Sequence, residues 1–145
     1  MVKRSHRHTP LIDLIAWSTE QEALAYLASR PESAFERDDD DTSPLQVAIL
    51  SEKRSIFLEL LKSPEDITRT DRWGNTALWT AAYHALLVRG TDWFLRALLP
   101  VFNDVDTENN VGKGVIDMAE RAQPEVRELL ESYSRRTLPV PGSRS

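Results

Sequence analysis

The stretch from Asp71 to Ala82 constrains the fold more than any other part of this 145-residue chain; it reads DRWGNTALWTAA. Asp71 and Gly74 predict a tight turn, because glycine adopts the positive φ that a side chain resists. Thr76 predicts a helix start, since its side-chain oxygen accepts a hydrogen bond from a free backbone N–H. Leu78 and the alanines after it recur at helical spacing, so the turn should lead into a helix that packs closely on another.

Three other segments repeat this pattern. Pro10, Pro44 and Ala77 follow one another at almost equal intervals, and Gly112 follows Gly74 at a slightly longer one. Apolar residues of a second helix follow each start, and an aliphatic residue precedes each later start; these are Leu24/Leu27, Leu58/Leu61, Leu95/Leu98/Leu99, Val126/Leu129/Leu130, and Ala34, Ile67 and Val105. Because one repeat cannot bury its apolar face alone, a period of roughly 33 residues predicts stacked helix pairs.

The stretch resembles the opening of an ankyrin repeat, D-x-x-G-x-T-P-L-H-x-A-A, with Ala77 at the proline position and Trp79 at the histidine position. The resemblance implies an all-α fold, an ankyrin-repeat solenoid of about four helix pairs with short inter-repeat fingers. The expected helices span residues 11–16, 21–29, 44–50, 54–62, 77–85, 92–100, 115–121 and 124–133, with almost no strand.

The domain plan follows from this register. Residues 1–8 are predicted to be a mobile basic arm, and residues 9–133 the ankyrin repeat domain. Its repeats run over about 9–37, 38–70, 71–108 and 109–133. Residues 134–145 are rich in Pro, Gly, Ser and Arg, a composition that predicts a disordered tail. Five extra residues fall within 84–92, where they either lengthen the first helix of the third pair or enlarge the turn after it.

Composition argues against several classes of site and partner. The absence of cysteine excludes disulfides, thiolate zinc sites and cysteine nucleophiles. The net charge of −5 disfavours general nucleic-acid binding. No apolar run approaches the roughly 18 residues of a membrane span, and no signal-type stretch follows the basic N-terminus, so we expect a cytoplasmic protein without membrane contact.

Catalytic signatures are missing. None of the nucleophile-elbow, metalloprotease, phosphate-loop or dinucleotide motifs occurs. His6 and His8 make a poor metal pair, and His84 stands alone in sequence. The alternating acids Asp104 and Asp106 lack the glycine and distal glutamate of a calcium loop. We therefore predict that the chain is not an enzyme and has neither a metal site nor a cofactor.

The resemblance implies a protein-binding face built from finger tips and exposed positions of each first helix. Carried over residue by residue, it selects Asp39, Asp40, Thr42, Leu50, Arg72, Trp73, Asn75, Tyr83 and His84, with Trp17, Asn110, Val111, Lys113 and Arg121 at the neighbouring repeats. Trp73 either anchors a partner or folds back over the next finger. The acidic run from Asp38 to Asp41 is either a solvated turn or a lure for a cationic surface. Trp79 and Trp93 are expected in the core.

Two functions remain open. The motif from Gly74 to Trp79, with a long turn after it, resembles small bacterial ankyrin proteins encoded beside polymorphic toxins. This implies an immunity protein that binds and neutralises a cognate toxin, and a toxin domain that is basic because it acts on nucleic acid would suit the acidic run. The alternative is a general scaffold or adaptor that docks one chain to another. In both cases the partner is another protein, with no nucleic acid or membrane.

Overall fold

The computed structural model describes residues 8–63 and 67–134, and over these ranges it contains helices and turns but no strand. The all-α prediction is confirmed. Seven α-helices occur in these ranges: α1 Pro10–Trp17, α2 Glu20–Ser29, α3 Pro44–Leu50, α4 Arg54–Leu60, α5 Ala77–Leu87, α6 Trp93–Leu98 and α7 Pro124–Tyr133. Two 3-10 helices, Pro31–Phe35 and Val115–Arg121, accompany them.

Most predicted helices occur near their expected bounds, and α3 and α7 match to the residue. The predicted helix over 115–121 occurs at these bounds and is a 3-10 helix. Ala122 and Gln123 after it are extended, as expected before Pro124, whose ring disfavours helical geometry at the preceding residue. Pro124 therefore separates this 3-10 helix from α7, which begins at the proline.

The predicted arm and tail lie outside the described residues except at their inner ends. His8, the last residue of the arm, is exposed. Ser134, which the sequence assigned to the tail, is instead fully buried, and its hydroxyl lies 2.6 Å from Asp106 Oδ1. The packed part of the chain thus continues past α7 by at least this residue.

Three turns share one hydrogen-bonded geometry. In each, the side-chain Oδ1 of the first residue accepts backbone N–H bonds from the residues two and four positions later, and the fourth residue has a positive φ. The first residues are Asp38, Asp71 and Asn109, and the fourth are Asp41 (φ 60°), Gly74 (φ 81°) and Gly112 (φ 77°). The intervals between these turns equal those between the repeat starts in the sequence. Asp41 can take the place that glycine has in the other two turns, because Asp tolerates a positive φ better than most residues.

The second turn is hydrogen-bonded to the turns on either side. Arg72 N–H donates to the carbonyl of Asp40 at 2.9 Å, and Asn110 N–H makes the equivalent bond to the carbonyl of Trp73 at 3.0 Å. The side-chain amide of Asn110 also donates to the carbonyl of Arg72 at 2.9 Å. A Cβ built on Gly74 would lie 2.5 Å from Asn110 Oδ1, so only glycine fits this approach.

The helices pack as successive pairs. We call α1, α3, α5 and the 3-10 helix Val115–Arg121 the inner helices, and α2, α4, α6 and α7 the outer helices. Each inner helix contacts its outer partner and the next inner helix, and α2 also contacts α4. Leu78 and Phe57 are fully buried, and Ala81 and Ala82 supply the small side chains that close helix packing needs.

Thr19, Ser43 and Thr76 cap α2, α3 and α5 locally, whereas the starts of α1 and α4 are satisfied by side chains distant in the sequence. Neither Thr9 nor Lys53 caps the helix that follows it. Instead, Glu36 accepts the N–H groups of Leu11 and Ile12 at the start of α1, and Glu20 accepts those of Ser55 and Ile56 at the start of α4. Lys53 Nζ donates to the carbonyls of Ile15 and Ser18 at the end of α1, at 2.7 and 2.8 Å. The bonds of Glu20 and Lys53 fix the first two pairs to each other.

The five extra residues of the third pair are used in both ways that the sequence left open. Helix α5 runs to Leu87 and is longer than α3, and a turn with Gly90 at φ 85° follows. Thr91 Oγ1 donates to the carbonyl of Val88 at 2.6 Å. Leu87 and Val88 are exposed on this turn.

Candidate protein-binding surface

Two rows of residues occupy repeated positions, counted from the three turns except for Trp17, which precedes the first turn. The helix row lies in the C-terminal halves of the inner helices and comprises Trp17, Leu50 and Tyr83, followed by Arg121. The tip row stands at the third residue of each turn and comprises Asp40, Trp73 and Val111. Neighbouring inner helices touch, and neighbouring turns are hydrogen-bonded, so each row runs across adjacent elements.

Exposed apolar side chains concentrate in these rows. Ten large apolar side chains are exposed in the described part of the chain, and five of them belong to the rows. Trp17 is 86% exposed, Leu50 54%, Trp73 49% and Tyr83 42%. Soluble proteins seldom leave such side chains aligned in water, and an exposed apolar surface with a polar rim marks an interaction site.

Trp73 stays half exposed and does not fold away under the next turn. The guanidinium of Arg72 lies over its ring, 5.3 Å from the centroid. Arg72 Nη1 also lies 3.0 Å from Asp40 Oδ1. The turn tips therefore present an Asp–Arg–Trp arrangement in which the cation contacts both the ring and the carboxylate.

Tyr83 is held by a neighbour within its own helix. Its ring stacks on that of Trp79, with centroids 5.0 Å apart and planes 23° apart. Trp79 and Trp93, which were expected in the core, are partly buried and pack against it; the ring of Trp93 meets those of Phe57 and Phe94 edge-on. The stacking leaves one side of Tyr83 in solvent and reduces the freedom that the ring would lose on binding a partner.

His84 does not belong to the exposed surface, and the expectation that it does is wrong. It is only 9% exposed, and its Nε2 lies 3.1 Å from Oε2 of Glu52 in the turn between α3 and α4. Consecutive helical residues point about 100° apart, so Tyr83 and His84 cannot share one face. His84 instead ties α5 to the preceding helix pair.

The other predicted site residues divide between surface and framework. Asp39 is exposed on the first turn, and Asp40 is half-buried beside Arg72. Asn75 is half-buried, and its side-chain oxygen accepts a bond from the Asn109 amide at 2.8 Å, so it joins two turns. Thr42 is half-buried, with its N–H bonded to Asp38. Asn75 and Thr42 thus serve the turns more than the surface.

A groove beside the first turn was not anticipated in full. It has a volume of about 550 Å³ and lies between α1 and the turn, with Val47 of α3 at one side; its lining also includes Thr9, Ile12, Asp13, Ala16, Trp17, Asp38 and Asp39. Trp17 was predicted from the sequence as a site residue of the first repeat, as Leu50 was of the second. Asp13 carried no signal, because its carboxylate becomes relevant only once the turn is placed beside α1.

Acidic side chains lie in and close to this groove. Burial raises the pKa of Glu36, whose carboxylate caps α1; the N–H groups of Ile12 and Leu11 and the charge of His8 oppose this, and repulsion from Asp13 adds to it. Asp13 and Asp39 both reach solvent at the groove. A cation placed there would relieve this repulsion.

Within the described ranges, no group of three or more His, Cys, Asp or Glu side chains could hold a metal ion. None of the helices in these ranges is long and apolar enough to cross a membrane. In comparisons with known proteins, no family model and no curated protein sequence matches this chain.

Proposed function

We propose that this chain is a protein-binding ankyrin-type solenoid, and that it acts as an immunity protein that binds and neutralises a cognate bacterial toxin. The observation that carries the proposal is the alignment of exposed apolar side chains at two repeated positions, the helix row and the tip row. Such an alignment is not needed for folding, because these side chains contribute little to the core.

The ankyrin-type arrangement is supported by the three equivalent turns and by the order of helix contacts. Turns that recur at the intervals of the sequence repeat stand beside one another, and each inner helix packs on the next. This is the one-dimensional packing expected of a repeat stack, in which each unit contacts its neighbours.

The residue types of the two rows suit a protein partner. Trp, Tyr and Arg are the side chains that most often contribute the largest share of binding energy at protein interfaces. Tyr83 is held by stacking, and Trp73 by Arg72, so both rings are ordered before a partner arrives. Ordered anchors lose less conformational entropy on binding.

Neutralisation requires only that the partner's active site be covered. A surface that spans several repeats can occlude a catalytic cleft without chemistry of its own. The acidic turn at one end of the surface would attract a toxin that is basic because it handles nucleic acid, and would speed association at low salt.

The test is co-expression in a bacterial host with the protein encoded beside this chain's gene. We expect the neighbour alone to stop growth and the wild-type chain to restore it. Trp73→Ala should weaken the complex by about 2 kcal/mol or more, and Leu50→Ala by about 1 kcal/mol or more.

Leu58→Ala is the matched control, because Leu58 is exposed to a similar degree, 48%, but belongs to the outer helix α4. It should bind and protect like wild type. Equal binding by all three variants would remove the two rows as the site. Binding without restored growth would favour the scaffold or adaptor function instead.

A further inference from the structure

The groove between α1 and the first turn combines an exposed aromatic ring with carboxylates. Its lining includes the apolar side chains of Ile12, Ala16 and Val47 together with Asp13 and Asp39, both of which reach solvent. Its volume of about 550 Å³ is enough for a long side chain. Trp17 also lines the groove and is the most exposed large apolar side chain in the described part of the chain.

The second turn shows what such a combination binds. There, Asp40 and Trp73 hold a guanidinium that the chain itself provides, with Arg72 3.0 Å from the carboxylate and 5.3 Å from the ring centroid. Arg54 lies over Trp93 in the same manner, at 4.7 Å. This protein thus pairs arginine with tryptophan twice in the described ranges, once with a carboxylate beside the pair.

We propose that the groove receives an arginine side chain of the partner, between the ring of Trp17 and the carboxylates of Asp13 and Asp39. The inference rests on the proposed protein-binding function and deepens it. It assigns the partner a basic segment and places that segment at the first two helix pairs. The apolar remainder of the helix row, Leu50 and Tyr83, then contacts the apolar part of the same segment.

Arginine fits better than lysine for geometric reasons. A guanidinium is planar, so it stacks on an indole and still directs N–H groups sideways to carboxylates. It is also weakly hydrated, which lowers the cost of entering a groove whose lining is partly apolar.

The experiment titrates the full chain with a short arginine-containing peptide and with a counterpart in which neutral citrulline replaces each arginine. The readout is the indole N–H signal of Trp17 in a ¹H–¹⁵N spectrum, assigned with Trp17→Phe. We expect the arginine peptide to shift this signal and citrulline to abolish the shift. Raising the salt to about 0.5 M should weaken binding, since it screens the carboxylates.

The double variant Asp13→Asn with Asp39→Asn should weaken binding of the arginine peptide by roughly tenfold. The matched control is Glu125→Gln with Glu128→Gln on the exposed side of α7, which removes the same charge far along the chain and should change the dissociation constant by less than about twofold. Equal effects of the two pairs, or an unchanged Trp17 signal, would overturn the proposal.

Two further outcomes are decisive. If the double variant Arg4→Gln with Arg7→Gln binds the peptide more tightly than wild type, the chain's own arginines occupy the groove and the assignment of a partner arginine is overturned. If a native partner depends on Leu50 and Trp73 but the peptide fails, the groove is not an arginine site while the protein-binding function stands.

Discussion

Gly74→Ala tests the packing of one turn on the next. Gly74 has φ 81°, a conformation that costs an alanine about 1–2 kcal/mol. The lower entropy of the unfolded alanine chain returns about 0.4–1 kcal/mol. The added Cβ would lie 2.5 Å from Asn110 Oδ1 and 2.9 Å from its backbone nitrogen, and the nitrogen cannot move without shifting the turn.

The two hydrogen bonds of Asn110 to the second turn should be lost or weakened, at about 0.5–1.5 kcal/mol each. We therefore expect a loss of roughly 2–4 kcal/mol in the free energy of unfolding, measured by urea titration with the slope held in common. Gly90→Ala is the control, because Gly90 has φ 85° but nothing within 4 Å of an added Cβ. It should lose about 1 kcal/mol or less. Equal losses in the two variants would refute the close approach of the turns.

Three further predictions concern stability. Leu78→Ala should cost about 2–5 kcal/mol, because Leu78 is fully buried; a denaturation midpoint equal to wild type would contradict its place in the core. Lys53→Met should cost roughly 1–3 kcal/mol through two lost bonds to the end of α1, while Lys62→Met, at an exposed pair, should be near neutral in the same thermal melts. Burial raises the pKa of Glu36, so as the pH falls the folded chain binds a proton at this carboxylate before the unfolded chain does. The stability of wild type relative to Glu36→Gln should therefore rise as the pH falls from neutral toward 4.5, the ordinary pKa of a glutamate. A stability difference that stays constant or falls in denaturation experiments over this pH range would contradict the prediction.

Local features of the fold were predictable where single residues determine them. Pro44 and Pro124 open their helices at the expected residues, because proline suits the first turn of a helix and no later position. Gly74 has the positive φ that the turn predicted for it. Such features depend on a few adjacent residues, and a sequence displays adjacency directly.

Contacts between residues that are distant in the sequence were not predicted. Glu20, Glu36 and Lys53 cap helices whose ends are distant from them in the sequence, and nothing in their own neighbourhoods marks them. His84 was misplaced for the same reason, since its burial depends on Glu52 and on the face that α5 turns to α3. The site was predicted as positions in a repeat, and only packing separates those that reach solvent from those that hold the turns together.

The most direct test of the protein-binding surface is hydrogen–deuterium exchange of the chain alone and in complex with the protein encoded beside its gene. We expect slower exchange on binding at the three turns, residues 38–42, 71–75 and 109–113, and in the C-terminal halves of α1, α3 and α5. Exchange in the outer helices α4 and α7 should stay unchanged. Protection confined to the outer helices would contradict the assignment of the helix row and the tip row as the binding surface.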